Sequence, residues 1–348
     1  MSTLRKNIWH FLNDPDKKSY ATIFKEVISL WIAKKEVPKY YFGRFLYRKD
    51  MNATKFMCMR EYYEIIESPN LRSPITDTIL HNKLSFSTFC EKHNLPTAKV
   101  ISYNTGTQFY YDNKKVTITT PTELETFFLS IFEEQQKERL FLKLTEGQQG
   151  NGAIMLHKKT LSKNSSYIWK ILKDNSYIHQ EVINQHNDIN AFFDKAANTI
   201  RLETYVDKAK NIHFLGCFIR FGAGDAIVDN ASSGGLFIPI HIETGILFDQ
   251  AITTLKGGAK KFLEHPDSNI IFKNFEIPFF QQVKEEVIKA TTLLPSRLIG
   301  WDIAITPTGP ILIEGNHIPG LLHGEYSYHG FLNKPIFKEI MAEAKGKE

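Results

Sequence analysis

Apolar and polar positions alternate most cleanly between residues 298 and 316, where LIGWDIAIT and ILIEGN flank Pro307-Thr308-Gly309. Both arms are rich in β-branched residues and the segment between them is turn chemistry, so the pattern predicts a β-hairpin. With the turn centred on Thr308, Ile305 pairs with Ile311, Ile303 with Ile313, and Asp302 with Glu314. The four isoleucines then share the core face. Asp302, Glu314 and Asn316 share the opposite face, because residues two apart in a strand point the same way. Shorter apolar runs predict strands over 99–102, 139–144, 153–157, 177–183, 199–206 and 212–221. Helical spacing predicts helices over 79–91 and 278–294 and through most of 4–66. Thr120-Pro121-Thr122-Glu123 is a capping box with proline at the first helical position, opening a helix to about residue 137.

Composition leaves that picture standing and narrows the setting. The 348 residues are 42% hydrophobic and 23% charged, enough for two or three lobes with a sizeable core. Three cysteines, Cys58, Cys90 and Cys217, are too few and too scattered for a disulfide framework or a zinc site, which fits a reducing compartment. Residues 1–18 carry charges where a signal peptide needs an apolar run, and no uncharged stretch approaches the ~20 apolar residues of a membrane span. The expectation is a cytoplasmic protein, at most peripheral to the inner face of the cell membrane.

Charge is unevenly placed. Residues 1–75 hold 14 Lys and Arg against 8 Asp and Glu, an excess of +6, so the rest of the chain carries −1 of the total +5. Within that segment, bases and aromatics interleave in Lys39-Tyr40-Tyr41-Phe42-Gly43-Arg44-Phe45-Leu46-Tyr47-Arg48-Lys49. Such a mixture suits peripheral docking on an anionic membrane or a glycan-lipid carrier. It suits better a set of helices packed on the next lobe with lysines in water. A modest basic excess without a recognisable module argues against nucleic acid as a partner.

The candidate chemistry starts at the hairpin. Two carboxylates opposed at roughly 5 Å repel by about 3 kcal/mol at an effective dielectric near 20. A cation relieves this, and two acids with an amide oxygen suit Mg2+, which takes one or two carboxylates plus substrate phosphates. The alternative is a solvated hairpin with no ligand. Lys143 ends a predicted strand and leads into Thr145-Glu146-Gly147-Gln148-Gln149-Gly150-Asn151-Gly152. The strand after this loop and the missing Gly-Lys-Ser/Thr ending argue against a P-loop or Rossmann site. Gly147, Gly150 and Gly152 would let backbone N–H groups approach phosphate, with Lys143 as a point charge, unless the loop is a plain hairpin turn.

Gln180, Glu181 and Val182 interrupt an apolar strand that is either an edge strand or an adenine-lining hinge. Arg201 and Arg220 sit within long predicted strands, where a buried arginine wants an anion, whether substrate or structural partner. The small polar run through Asp229, Asn230, Ser232 and Gly234 suits a substrate loop. The twelve histidines form no ligand cluster; His186 and His317 are held in reserve because they lie within motifs.

Glu314-Gly315-Asn316-His317-Ile318-Pro319-Gly320 resembles the Glu-x-Asn-x-x-Pro-Gly signature of ATP-grasp ligases such as D-alanine:D-alanine ligase. Asn198-Thr199-Ile200-Arg201, Asp229-Asn230 through Gly234-Gly235 and Gly300-Trp301-Asp302-Ile303-Ala304 resemble the sugar-transfer-associated ATP-grasp group, related to α-L-glutamate ligases and found with bacterial surface-polysaccharide genes. The resemblance covers about residues 79–325. It implies an ATP-grasp fold with two α+β lobes clamping ATP, a first (79–180) and a second (181–348), after an N-terminal α/β unit in whose place this chain reads as a largely helical basic segment (1–78).

Carried over to this chain, the resemblance gives Lys83 and Lys143 contacts to phosphates and lets Gln180, Glu181 and Val182 line adenine. It gives Asp302, Glu314 and Asn316 the Mg2+, as two ions. D-alanine:D-alanine ligase has an arginine where this chain has Gly300, so Arg220, Arg201 or Arg297 must stabilise the oxyanion, with Arg220 favoured. The implied reaction is ATP-dependent amide (C–N) ligation of a small-molecule or saccharide carboxylate to an amine through an acyl phosphate. Phosphoryl transfer to a hydroxyl, or a non-catalytic ATP-binding or membrane-docking module, are the alternatives.

Overall fold

In the computed structural model, described here for residues 11–147, 152–224, 235–253 and 258–346, the predicted strands assemble into two antiparallel sheets. The smaller sheet contains β1 (Val100–Thr105), β2 (Gln108–Tyr111), β3 (Lys114–Thr117), β4 (Arg139–Leu144), β5 (Ile154–His157) and β6 (Ser176–Glu181). Its order is β3-β2-β1-β6-β4-β5, so the strand carrying Gln180 and Glu181 is central and not an edge. The larger sheet contains β7 (Thr199–Val206), β8 (Ile212–Phe221), β9 (Leu236–Pro239), β10 (Ala251–Thr253), β11 (Lys261–Phe262), β12 (Leu298–Thr306) and β13 (Gly309–Asn316). Its order is β11-β10-β9-β8-β7-β12-β13.

The helices are α1 (Tyr20–Lys34), α2 (Lys39–Gly43), α3 (Met59–Ile66), α4 (Pro74–His81), α5 (Lys83–Lys92), α6 (Pro121–Glu134), α7 (Leu161–Leu172), α8 (Asn187–Asn190), α9 (Phe280–Thr292), α10 (Leu321–Ser327) and α11 (Pro335–Ala344). The capping box at Thr120 and Glu123 starts α6 as its sequence predicts, and the helix ends three residues short of 137. The helix expected over 79–91 is two. Asn82 interrupts it, taking an extended conformation and accepting from the N–H groups of Leu84 and Ser85. An asparagine side chain satisfies otherwise orphaned helical N–H groups, so it restarts the helix and makes Lys83 its first residue. Both helices pack through Leu80, Phe86 and Phe89 into the core of the larger sheet, although the sequence suggested that they open the other lobe.

Each face of the larger sheet is covered. One face packs Ile200, Leu202, Ile219, Trp301 and Ile303 under α4, α5 and α9. On the other face, Phe218 and Phe237 pack against Ile23, Tyr41, Phe45 and Leu46 from the N-terminal segment, while Tyr205 and Leu298 pack against α3 and α11. The aromatic and basic run at 39–49 therefore belongs to the core. Tyr40, Tyr41, Phe45, Leu46 and Tyr47 are buried. Arg44 bonds Glu325 at 3.0 Å and Met57 O, and Arg48 bonds Asp14 at 2.8 Å and the carbonyls of Gly258 and Ala259. Those two bases are held in the protein and do not face a membrane.

The hairpin shows why its acids meet. The turn is Pro307-Thr308, one residue shorter than the expected loop, since Thr306 pairs with Gly309, Ile305 with Pro310 and Ile303 with Leu312. That register would set Glu314 against Trp301, on the core side. A β-bulge at Ile313 corrects it, and Asp302 pairs with Glu314 and Gly300 with Asn316. The apolar partner of Ile303 is accordingly Leu312. Ile311 and Ile313 are only partly buried, contrary to the simple alternation.

Candidate active site

Residues 201, 203 and 205 of β7 share one face of the larger sheet, and the pairing of β12 and β8 brings Asp302 and Arg220 onto the same face. The Arg201 guanidinium grips Asp302 with two parallel bonds, Nε to Oδ1 at 2.6 Å and Nη2 to Oδ2 at 3.0 Å. Arg220 Nη2 lies 3.1 Å from the same Oδ1 and also donates to Thr199 Oγ1. Asn316 Nδ2 approaches Asp302 Oδ2 at 3.4 Å. Burial pushes the Asp302 carboxyl up, but Arg201 and Arg220 outweigh it and hold it at about 2. The buried arginines thus have their anion, and it is a carboxylate of the protein.

Glu314 differs from its neighbour. Burial drives its carboxyl upward, Asp302 adds to the rise, and Lys83, Lys143 and Arg201 pull against it without cancelling it. The two lysines come from opposite sides of the glycine loop. Lys83 heads α5, with its backbone N–H on Thr145 O at 2.8 Å and its Nζ on Gly147 O at 2.7 Å. Lys143 ends β4 with its ammonium over the Phe141 ring at 5.4 Å. Lys83 thus ties the smaller sheet's loop to a helix of the larger sheet, and both lysines act on the one acid of the hairpin. Gly152 closes the described part of the loop at φ +75°, and a Cβ there would come 2.9 Å from Leu144 Cδ1, so glycine is required on two counts. Gly150, and the expected substrate residues Asp229, Asn230, Ser232 and Gly234, lie outside the described residues.

The donors fit a hard cation. Asp302, Glu314 and the Asn316 amide lie on one face of the hairpin. Glu314 and the Asn316 oxygen, left as an acceptor by the Nδ2 contact to Asp302, are open to an ion, while Asp302 has both oxygens on Arg201 and reaches an ion only by exchanging one of those bonds. Among the described residues no group of three or more His, Cys, Asp or Glu is placed to hold a metal ion by itself.

In the central strand, Gln180 is buried and donates Nε2 to Ala98 O at 3.1 Å, while the Glu181 N–H bonds Lys99 O. The Glu181 carboxylate lies 3.4 Å from Lys137 Nζ, and Val182 follows the strand, partly buried. Arg297 is not with the other arginines. It bonds Val206 O, the Tyr205 hydroxyl and Glu343, and so ties the end of β7 to α11. That contact is structural and corrects the role in oxyanion stabilisation considered for it. Gly300 is overlain by Arg201: a Cβ there would lie 3.5 Å from Arg201 Cδ and 3.1 Å from Pro319 Cβ. The neighbouring strand thus places an arginine over Gly300. His186 caps α8, and His317 packs against His81.

Glu203 escaped the sequence reading. It is fully buried, neither carboxylate oxygen has a hydrogen-bond partner in the structure, and burial pushes it up to about 8 despite Arg201 and Lys334 nearby. Its period-two relation to Arg201 was the available signal. His323, buried beside Arg201 and Arg220, is brought down to about 4 by burial and those two charges.

A family model described as sugar-transfer associated ATP-grasp matches residues 66–334. Comparison with curated protein sequences finds no match. Among solved structures the chain is similar to carboxyaminoimidazole ribonucleotide synthase from Aspergillus clavatus complexed with ATP, at 12% identity and a TM-score of 0.42, covering 72% of this chain and 47% of that one. It is also similar to N5-carboxyaminoimidazole synthetase from Staphylococcus aureus complexed with ADP, at 11% identity and a TM-score of 0.48, covering 80% and 55%. D-alanyl-alanine synthetase A from Vibrio cholerae gives 9% identity and a TM-score of 0.46, covering 79% and 67%. The chain spans about half the length of the first two. The family match extends over well more than half of the chain and includes the hairpin, the glycine loop and both arginine strands, and the protein belongs to the sugar-transfer associated ATP-grasp family.

Proposed function

We propose that the protein is an ATP-dependent carboxylate-amine ligase that joins an amino acid or similar amine to a uronic or amino-sugar acid in bacterial surface-polysaccharide synthesis. The observation that carries this reading is the contact of Lys83 with Thr145 O and Gly147 O, which joins the glycine loop of the smaller sheet to the helix packed on the larger one, with Lys83 and Lys143 both acting on the Glu314 carboxyl. Two ammonium groups beside a partly buried acid suit a site for a polyphosphate and its counter-ion. The described residues present no Ser-His-Asp or Cys-His pairing there, which agrees with a reaction needing no protein nucleophile.

In this reading the substrate carboxylate attacks the γ-phosphorus of ATP, the bond to the β–γ bridging oxygen breaks, and ADP leaves. The amine nitrogen then attacks the acyl carbon, forming the amide and releasing inorganic phosphate and a proton. Lys83 and Lys143 offset charge on the phosphoryl oxygens, and Arg220, on the same sheet face as Arg201 and Asp302, stabilises the developing oxyanion. Asp302, Glu314 and Asn316 would hold Mg2+, which would supply charge neutralisation at the phosphates. Gln180, Glu181 and Val182 line the base, with backbone groups as hinge.

The test is product analysis with Mg2+, ATP and paired candidate acids and amines. ADP and phosphate should be released only when both partners are present. AMP and pyrophosphate, or a stable phosphorylated product formed without amine, would replace this reading with another.

A further inference from the structure

The most exposed apolar surface lies on α1, far in sequence from the active-site motifs. Its inner side places Ile23 and Leu30 in the core under the N-terminal segment. Its outer side is apolar as well: Phe24 is 68% exposed, Ile32 73%, Tyr20 60% and Trp31 50%. Tyr20, Phe24, Ile28 and Ile32 follow one another at steps of four, so they form one stripe, with Trp31 beside it. A helix that is apolar on both sides is normally buried on both. Beyond Tyr20, which meets the Phe11 ring and Lys17, the second side has no protein cover among the described residues.

The charges of this helix are sorted. Glu26 is turned inward to Lys18 and the Tyr41 hydroxyl, and Glu36, just beyond the helix, accepts from the backbone of Met59 and Arg60. Lys34 is bridged to Glu61. Lys25 and Lys35 are exposed, and neither pairs with an acid among the described residues. The open face therefore shows apolar and aromatic side chains rimmed by positive charge, with its acids withdrawn into the fold.

We propose that the outer face of α1 rests on an anionic membrane surface, with Phe24, Ile28, Trp31 and Ile32 at the acyl boundary and Lys25 and Lys35 at the headgroups. Tyrosine and tryptophan favour that depth, and lysines at the rim are attracted by anionic lipid. Charge also speaks against a second copy as the occupant, since two-fold pairing of the stripe would bring Lys25 and Lys35 of both copies to one rim. The surface differs from the 39–49 run, whose aromatics other than Phe42 are buried. No helix of the described residues is long and apolar enough to cross a membrane, so contact would be lateral.

The test is cosedimentation of the full chain with phosphatidylcholine vesicles and with vesicles that also contain phosphatidylglycerol. The chain should bind the anionic vesicles alone. Phe24→Ser/Ile32→Ser and, separately, Lys25→Glu/Lys35→Glu should each lower the bound fraction at least tenfold, while the thermal midpoint stays at the wild-type value because all four side chains are exposed. Absence of wild-type binding, or binding that survives the serine pair, overturns the proposal. So does a wild-type dimer in sedimentation velocity that the serine pair dissolves without any vesicle binding, which would assign the face to self-association.

Discussion

Arg201 holds Asp302 by a two-pronged grip, at 2.6 and 3.0 Å, from the strand next to the one that carries the acid. Both side chains are largely removed from water, so breaking the pair leaves a charge without its main partner. Arg201→Met should cost about 3 kcal/mol, with Arg220 retaining part of the interaction. Arg201→Met/Asp302→Leu should recover most of that loss. Urea midpoints of the four proteins form a double-mutant cycle, and additivity would show that the grip does not couple the strands.

Glu314 separates stability from function. Its carboxyl is pushed up by burial, so Glu314→Gln removes an unfavourable charge and should leave the thermal midpoint of the free protein unchanged or slightly higher. ATP-dependent turnover with Mg2+ should fall by about 100-fold or more, because a charge that balances the lysines and cation is gone. Thermal shift with and without MgATP checks both halves. A variant that keeps the wild-type ligand-induced shift removes Glu314 from the site.

Glu203 sets a pH dependence. Its folded value of about 8 lies above the ordinary 4.5, so the folded state holds the proton more tightly than the unfolded one. Stability from this group is full below about pH 4.5 and is lost as pH rises toward 8, by roughly 4–5 kcal/mol at most. The groups around it are Arg201 on its strand, Lys334, Glu325 of α10 and Cys217 of β8. Thermal midpoints of wild type should decline from pH 5 to 8 more steeply than those of Glu203→Gln; parallel profiles would mean that Glu203 is ionised throughout.

Arg297 provides the contrast. Arg297→Leu removes its contacts to Val206 O, Tyr205 and Glu343 and should destabilise by about 2–3 kcal/mol. Nucleotide affinity measured by calorimetry should be unchanged. A tenfold loss of affinity would return this arginine to the site.

Much of this fold could be read from periodicity, because strands buried on one or both faces repeat every two residues. β4, β7 and β8 fall where the sequence puts them, as does the opposition of Asp302 to Glu314. What periodicity could not carry was any single-residue correction. Ile313 is an ordinary strand residue in composition, and only the two-residue turn reveals it as a bulge. Asn82 reads as a polar position within a helix until its side chain is seen capping the next one. The run at 39–49 left two readings open for a different reason: arginine and tyrosine suit both a membrane interface and a buried ion-pair network, and the partners Glu325 and Asp14 decide for the packed one. Arg201 and Asp302 lie a hundred residues apart, and no local pattern could pair them.

Glu325 is fully enclosed, and its two oxygens are served by Arg44 and by the Met57 N–H, both from the segment before β1. The sequence signature of the family begins only as α3 ends, so it leaves out both of these donors. The recognisable domain is therefore not an autonomous one. Trimmed to its signature, the chain would keep every candidate active-site residue yet strand a carboxylate in a hydrophobic interior and lay bare Phe218 and Phe237. The early helices act as an internal lining of the catalytic lobe, and an evolutionary boundary here cuts through a single unit of folding.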